Sequence, residues 1–238
     1  DAVRAALGGP APQVEFSHPA AVAVAGERIF VADTGLGAVH LLNLAARQYK
    51  LIRGAPADPL RVPLDLAIVA NQLVVVDRGR GALDVFDLEG NWRATRRWPE
   101  IAAPVAVAWD RQQRVLWVAD AAAHACWGVE ESDFATKRQS DEGNANRSRS
   151  ASEDIRARSA SEGREAGVGL TADTAVAPGD RPRRLGQAGT AQGQFNFPTA
   201  LAWQATIGLV VADAMNFRIQ VFDVAAQGAA SQAVPTAH

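Results

Sequence analysis

Residues 197–223 read FPTALAWQATIGLVVADAMNFRIQVFD. Pro198 opens a first apolar run over Ala200, Leu201, Ala202 and Trp203. Leu209, Val210, Val211 and Ala212 form a second, and Arg218 to Phe222 a third that alternates apolar with polar. Runs this short, rich in β-branched and aromatic residues and bounded by turn residues, predict strands rather than helices. Asp213 falls at the turn after the second strand, where a carboxylate can accept backbone N–H groups.

The pattern recurs three times. Pro19 leads to RIFVADTGLGAVHLLNL, Pro63 to QLVVVDRGRGALDVFDL, and Pro104 to RVLWVADAAAHACWGVE. Each copy carries an Asp at the same point: Asp33, Asp77, Asp120 and Asp213 stand 14, 14, 16 and 15 residues after their prolines. The leading prolines lie 44, 41 and 94 residues apart. A period near forty with three or four strands per unit predicts the blades of a β-propeller.

The last copy also carries a resemblance. Ala212-Asp213, Asn216, Arg218 and Val221-Phe222-Asp223 resemble the NHL repeat, a β-propeller family. The other three copies keep the strands and the Asp but lack the Asn and Arg. The resemblance implies an all-β propeller of four recognisable blades. Since NHL rings more often have six, the chain is expected to be a four-bladed ring, a ring with a degenerate fifth blade, or part of a larger ring. Function does not follow from the fold, which hosts many activities.

Along the chain, residues 1–130 are assigned to three blades, with residues 3–8 as a strand that completes the last blade and closes the ring. Residues 131–182 hold almost no bulky apolar side chain and contain a near-tandem duplication, RSASEDIRA at 149–157 and RSASEGREA at 158–166. Such a segment cannot bury enough surface to offset its ordering entropy, so a disordered insertion is expected. Its place is between the third and fourth strands of the third blade, since residues 183–185 read as that blade's outer strand. A degenerate blade around 170–174 is the competing reading. Residues 183–223 supply that outer strand and the last blade. The tail, 224–238, is rich in Ala, Gln and Ser and does not read as a strand.

Composition narrows the classes. The chain has 238 residues, 48% of them apolar, enough for a sizeable core. A net charge of −2 makes nucleic acid an unfavoured partner. One cysteine, Cys126, rules out a disulfide within the chain, and no apolar run is long enough to span a membrane as a helix. Many Arg and Ala with only Lys50 and Lys137 fit a bacterial, GC-rich source. A chain that opens on Asp1 is read as a processed form, which favours the periplasm or secretion slightly over the cytoplasm.

The candidate site is one end of the propeller, where the turns after each repeated Asp meet those before each Pro. These turns offer His18, Arg61, Arg78, Arg80, His124, Phe197, Asn216 and Phe217 as binding residues. Arg and aromatic side chains are the usual anchors of protein interfaces. Asp33, Asp77, Asp120 and Asp213 are read as structural turn residues, because a catalytic pair is needed once and a turn cap in every blade. The expected function is a non-catalytic scaffold that binds another protein or an extended ligand on these loops. No catalytic residue, metal ligand or cofactor is assigned. The first alternative, drawn from the resemblance, is a metal-dependent propeller enzyme of lyase or lactone-hydrolase type, with zinc or calcium on the axis. The second is an RNA-binding platform of the NHL kind.

Overall fold

The structure, a computed structural model, describes residues 15–134, 181–224 and 233–234. The chain divides into two compact units, Asp1–Thr136 with Asp173–His238, and Lys137–Ala172. The second lies wholly outside the described residues, as do the expected closing strand at 3–8, the bulk of the expected disordered insertion and the degenerate blade around 170–174.

The first unit is a β-propeller arrangement of four blades, each an antiparallel sheet of four strands. Blade one comprises β1 (Pro19–Ala25), β2 (Arg28–Asp33), β3 (Ala38–Asn43) and β4 (Gln48–Ile52). A two-stranded ribbon, β5 (Gly54–Ala55) with β6 (Asp58–Pro59), leads to blade two. That blade holds β7 (Pro63–Val69), β8 (Gln72–Asp77), β9 (Ala82–Asp87) and β10 (Trp92–Arg96). Blade three holds β11 (Pro104–Asp110), β12 (Val115–Asp120), β13 (Ala125–Glu130) and, after a four-residue helix at Glu131–Phe134, β14 (Arg183–Leu185). The segment between that helix and β14 therefore enters between the third and fourth strands of blade three. A short parallel pair, β15 (Gln187–Ala188) and β16 (Gln194–Phe195), precedes blade four. Blade four holds β17 (Pro198–Gln204), β18 (Gly208–Asp213), β19 (Arg218–Phe222) and β20 (Ala233–Val234).

The last of these strands corrects the reading of the tail. Ala233 and Val234 pair with Phe222 and Val221, so the outer edge of blade four is covered by the tail. Composition concealed this strand: a two-residue edge strand needs only free backbone N–H and C=O groups, and these carry no side-chain signature.

Every blade begins alike. The leading proline pairs with the repeated Asp, and a bulge after it shifts the register by one residue. Proline tolerates this place because it lacks the N–H that a central ladder would use. Beyond the bulge the inner strand alternates its faces. The third and fifth residues after each proline are large, and the second and fourth are mostly alanine. Leu66 and Ile68 of blade two pack with Ala21 and Ala23 of blade one. Val107 and Trp109 of blade three pack with Ala67 of blade two. Leu201 and Trp203 of blade four pack with Ala106 and Ala108 of blade three. Large on small fills each seam, in the way close-packed interiors require.

Seams join the inner strands β1 to β7, β7 to β11 and β11 to β17. No comparable packing joins β17 to β1, and Val22 and Val24 on β1 are 63% and 60% exposed. Among the described residues no blade packs on the outward face of blade one or of blade four.

Candidate functional site

The repeated Asp residues are fully buried, and each ties the turn of its own blade to the turn before the leading proline. Asp33 accepts N–H groups from Ser17 at 2.7 Å and from His18, Gly35 and Leu36 at 3.0 Å. Asp120 accepts from Ala102, Ala103, Ala122 and Ala123. Asp77 accepts from Arg61 and Val62. Asp213 accepts from Asn196 at 2.6 Å. The residue after each Asp in turn donates its N–H to the carbonyl of the residue before the proline. For Asp33, burial alone would raise the carboxyl, but the N–H groups of His18, Ser17 and Leu36, with His40, outweigh it and hold it at about 2.

A second position supports these carboxylates, seven residues further on. In blade one it is His40, fully buried, with Nε2 3.4 Å from Asp33 and Nδ1 2.9 Å from the Tyr49 hydroxyl. Burial pushes the His40 ring below its ordinary value, against the pull of Asp33. In blade four it is Gln220, which donates to Asp213 at 3.1 Å. In blade two it is Asp84, buried beside Arg80. Burial raises the Asp84 carboxyl, while Thr95 and Arg80 pull it down. This spacing is visible in the sequence as His40, Asp84, Trp127 and Gln220, but the residue type changes from blade to blade and so carries no motif.

The residue four after each Asp adopts left-handed backbone. Gly37, Gly81, His124 and Phe217 have φ of 56°, 58°, 49° and 52°. A Cβ on Gly37 would press on the backbone oxygens of Leu60 and Arg61, and one on Gly81 on that of Ala102. In blade three the position is filled by His124, whose Nδ1 accepts the Phe197 N–H at 3.1 Å and whose ring meets the Phe197 ring edge-on. These contacts stitch each blade's turn to the turn before the next blade.

The expected binding residues thus fall into distinct environments. Arg61, Arg78, His18, Phe197 and Phe217 are exposed, and His124 is half-buried. Neither Arg61 nor Arg78 makes an ion pair among the described residues. Arg80 lies elsewhere: its side chain is 2% exposed and is held by Asp58 at 2.7 Å, Asp84 at 2.9 Å and Asp77 at 3.6 Å. Asn216 is spent within the fold, donating to Asp213 and to the Gly189 carbonyl. The same holds for Arg218, which bonds Asp213 and the carbonyls of Thr190, Ala191 and Gln194. The most distinctive motif of the sequence is therefore a clamp on a loop. Carboxylates are absent from the turn residues that face outward: Thr34–Gly37, Arg78–Gly81, Ala121–His124 and Ala214–Phe217 contain none.

Among the described residues no three His, Cys, Asp or Glu gather closely enough to hold a metal ion. Cys126 is buried, and burial pushes its thiol up, which suits an inert packing group rather than a nucleophile. No helix of the described residues is long and apolar enough to cross a membrane.

No family model matches the chain, and no curated protein matches it. Solved structures do match. The structure of a streptogramin B lyase superposes with a TM-score of 0.60 at 7% identity, over 94% of this chain and 57% of that one. A catalytically inactive virginiamycin B lyase from Staphylococcus aureus, with quinupristin, gives 0.58 at 9% identity, over 94% and 58%. A chain of a nidogen/laminin complex gives 0.58 at 15% identity, over 92% and 65%. At such identities the likeness shows the β-propeller fold alone. The chain spans less than two thirds of each of these proteins.

Proposed function

We propose that the chain is a binding scaffold whose turn-bearing end recognises an acidic, extended segment of another protein. The NHL resemblance agrees with this reading, since it assigns the same fold without assigning a catalytic group. The observation that carries the proposal is the sorting of charge at that end. All four repeated carboxylates are buried and accept backbone N–H groups, while Arg61 and Arg78 are exposed and make no ion pair among the described residues. Arg78 donates its backbone N–H to the Val62 carbonyl, so the two guanidiniums spring from turns stitched together at one end of blade two. Phe197, with His124 against it, gives an aromatic ledge at the seam between blades three and four. A rigid backbone presenting Arg and aromatic groups is suited to a peptide that lies across the seams.

Selection from a library of random dodecapeptides tests this. Acidic sequences are the expected enrichment, and Arg61→Ala with Arg78→Ala abolishes their retention while the melting temperature is unchanged. No acidic bias, or equal retention by the double variant, contradicts the proposal.

A further inference from the structure

The outward faces of blades one and four, on which no blade packs among the described residues, match each other. On blade one, Val22 pairs with Val31 and Val24 with Ile29, which places four β-branched side chains on the face turned away from blade two. Val22 and Val24 are the third and fifth residues after Pro19. These are the positions that in blades two, three and four carry Leu66 and Ile68, Val107 and Trp109, and Leu201 and Trp203, each pair packed into a seam. On blade four, Ala200 pairs with Ala212 and Ala202 with Val210, and Val210 and Ala212 pair onward with Val221 and Ile219. Ala200 and Ala202 are the second and fourth residues after Pro198. These positions carry Ala21 and Ala23, then Ala67, then Ala106 and Ala108 on the seam-forming face of the blades before. Neither open face bears a charge among these residues, and Ile219 is 56% exposed.

The turn at the same end repeats the message. Phe217 occupies the left-handed position at which Gly37, Gly81 and His124 touch the turn before the next blade. No next blade lies against it among the described residues, and it is 93% exposed. A non-glycine residue is strained in that backbone, and an aromatic held there in water gains nothing from the solvent. At the opposite end Phe16 and His18 of the first such turn are also exposed.

We propose that these faces join head to tail between two copies of this chain, blade four of each seated on blade one of the other. The twofold pairing makes two identical seams, continues the large-on-small packing of the three seams inside the chain, and closes a ring of eight blades. Phe217 then lies on the partner's turn at Ser17 and His18. Side-chain size and position along the strand favour a second copy over an unrelated partner, because the face it must match is the one the chain repeats internally.

Light scattering of the full chain across a hundredfold range of concentration tests this. The expected mass is twice the chain's 25.1 kDa. Val24→Asp and Ala202→Asp each lie on an exposed face, so the fold persists, and each alone gives monomer. Mixing the two variants restores dimer, since one of the two seams in the mixed pair carries neither charge. Phe217→Ala weakens the dimer at least tenfold. A monomer at every concentration overturns the proposal and leaves the faces to blades of another chain. A ladder of larger species overturns closure by two copies. Dimer lost in Val24→Asp but kept in Ala202→Asp overturns the head-to-tail pairing in favour of blade one on blade one.

Discussion

His40 is a ring sealed between a carboxylate and a phenol, and it sets a pH dependence. Its folded value lies below the ordinary 6.5. The unfolded chain therefore binds more protons than the folded one below about pH 6.5, and stability falls as the pH drops through that window. Asp33 adds a lower limb. Its folded value of about 2 lies below the ordinary 3.8, so its contribution is full above pH 3.8 and is lost between there and about 2. His40→Gln places in blade one the group that blade four uses at Gln220. Urea unfolding at a series of pH values should show the decline below pH 6.5 flattened in that variant and the limb below pH 3.8 retained. Arg80 carries a second prediction at this scale. Arg80→Ala leaves Asp84, which is fully buried, without its ion-pair partner. The loss is about 3 kcal/mol, read as a lower urea midpoint, with no effect on peptide retention beyond it.

Among the elements, β7 departs from its sisters in one residue. Asp65 stands where blades one, three and four have alanine, inside the seam with blade three. Burial raises its carboxyl above the ordinary value, against the pull of the Val107 and Leu66 N–H groups it accepts. A raised carboxyl means that the folded chain binds more protons, so stability falls as the pH rises above 3.8. Asp65→Asn keeps an acceptor for Val107 and removes the charge. Its urea midpoint should exceed that of the wild type at pH 7, and the two should converge near pH 3. Elements were also where the sequence was most readable. The Pro-to-Asp spacing located twelve strands, because both ends of each hairpin are fixed by backbone bonds that only these residue types make well. The seams were written there too, in the alternation of Val22, Leu66, Val107 and Leu201 with Ala21, Ala67, Ala106 and Ala200. Two things were not legible. Arg80 reads as a loop cation, and its true environment depends on Asp58, brought near by the β5–β6 ribbon from 22 residues away. The strand at Ala233–Val234 is made by backbone alone.

In the whole molecule, buried and exposed charge are sorted by blade geometry. Aspartates point inward to organise turns, with Arg80 and Arg218 drawn in beside them, while Arg61 and Arg78 are exposed. The candidate site was legible as a location, since the turn residues are fixed by the repeat. It was less legible as a membership, because Asn216 and Arg80 look identical in sequence to free loop residues and are consumed by the fold. The order of the blades also explains why exposed apolar side chains gather on blades one and four and not on two and three. Among the described residues each inner blade has two neighbours, and each outer blade has one.

Isothermal titration of an acidic dodecapeptide into wild type and into the Arg61→Ala, Arg78→Ala variant tests the functional reading most directly. The account predicts saturable binding by the wild type, weakened by added salt as screened charge contacts are, and at least tenfold weaker binding by the variant, which is about 1.4 kcal/mol or more. Equal affinity in the two proteins, or no binding by the wild type, would contradict it.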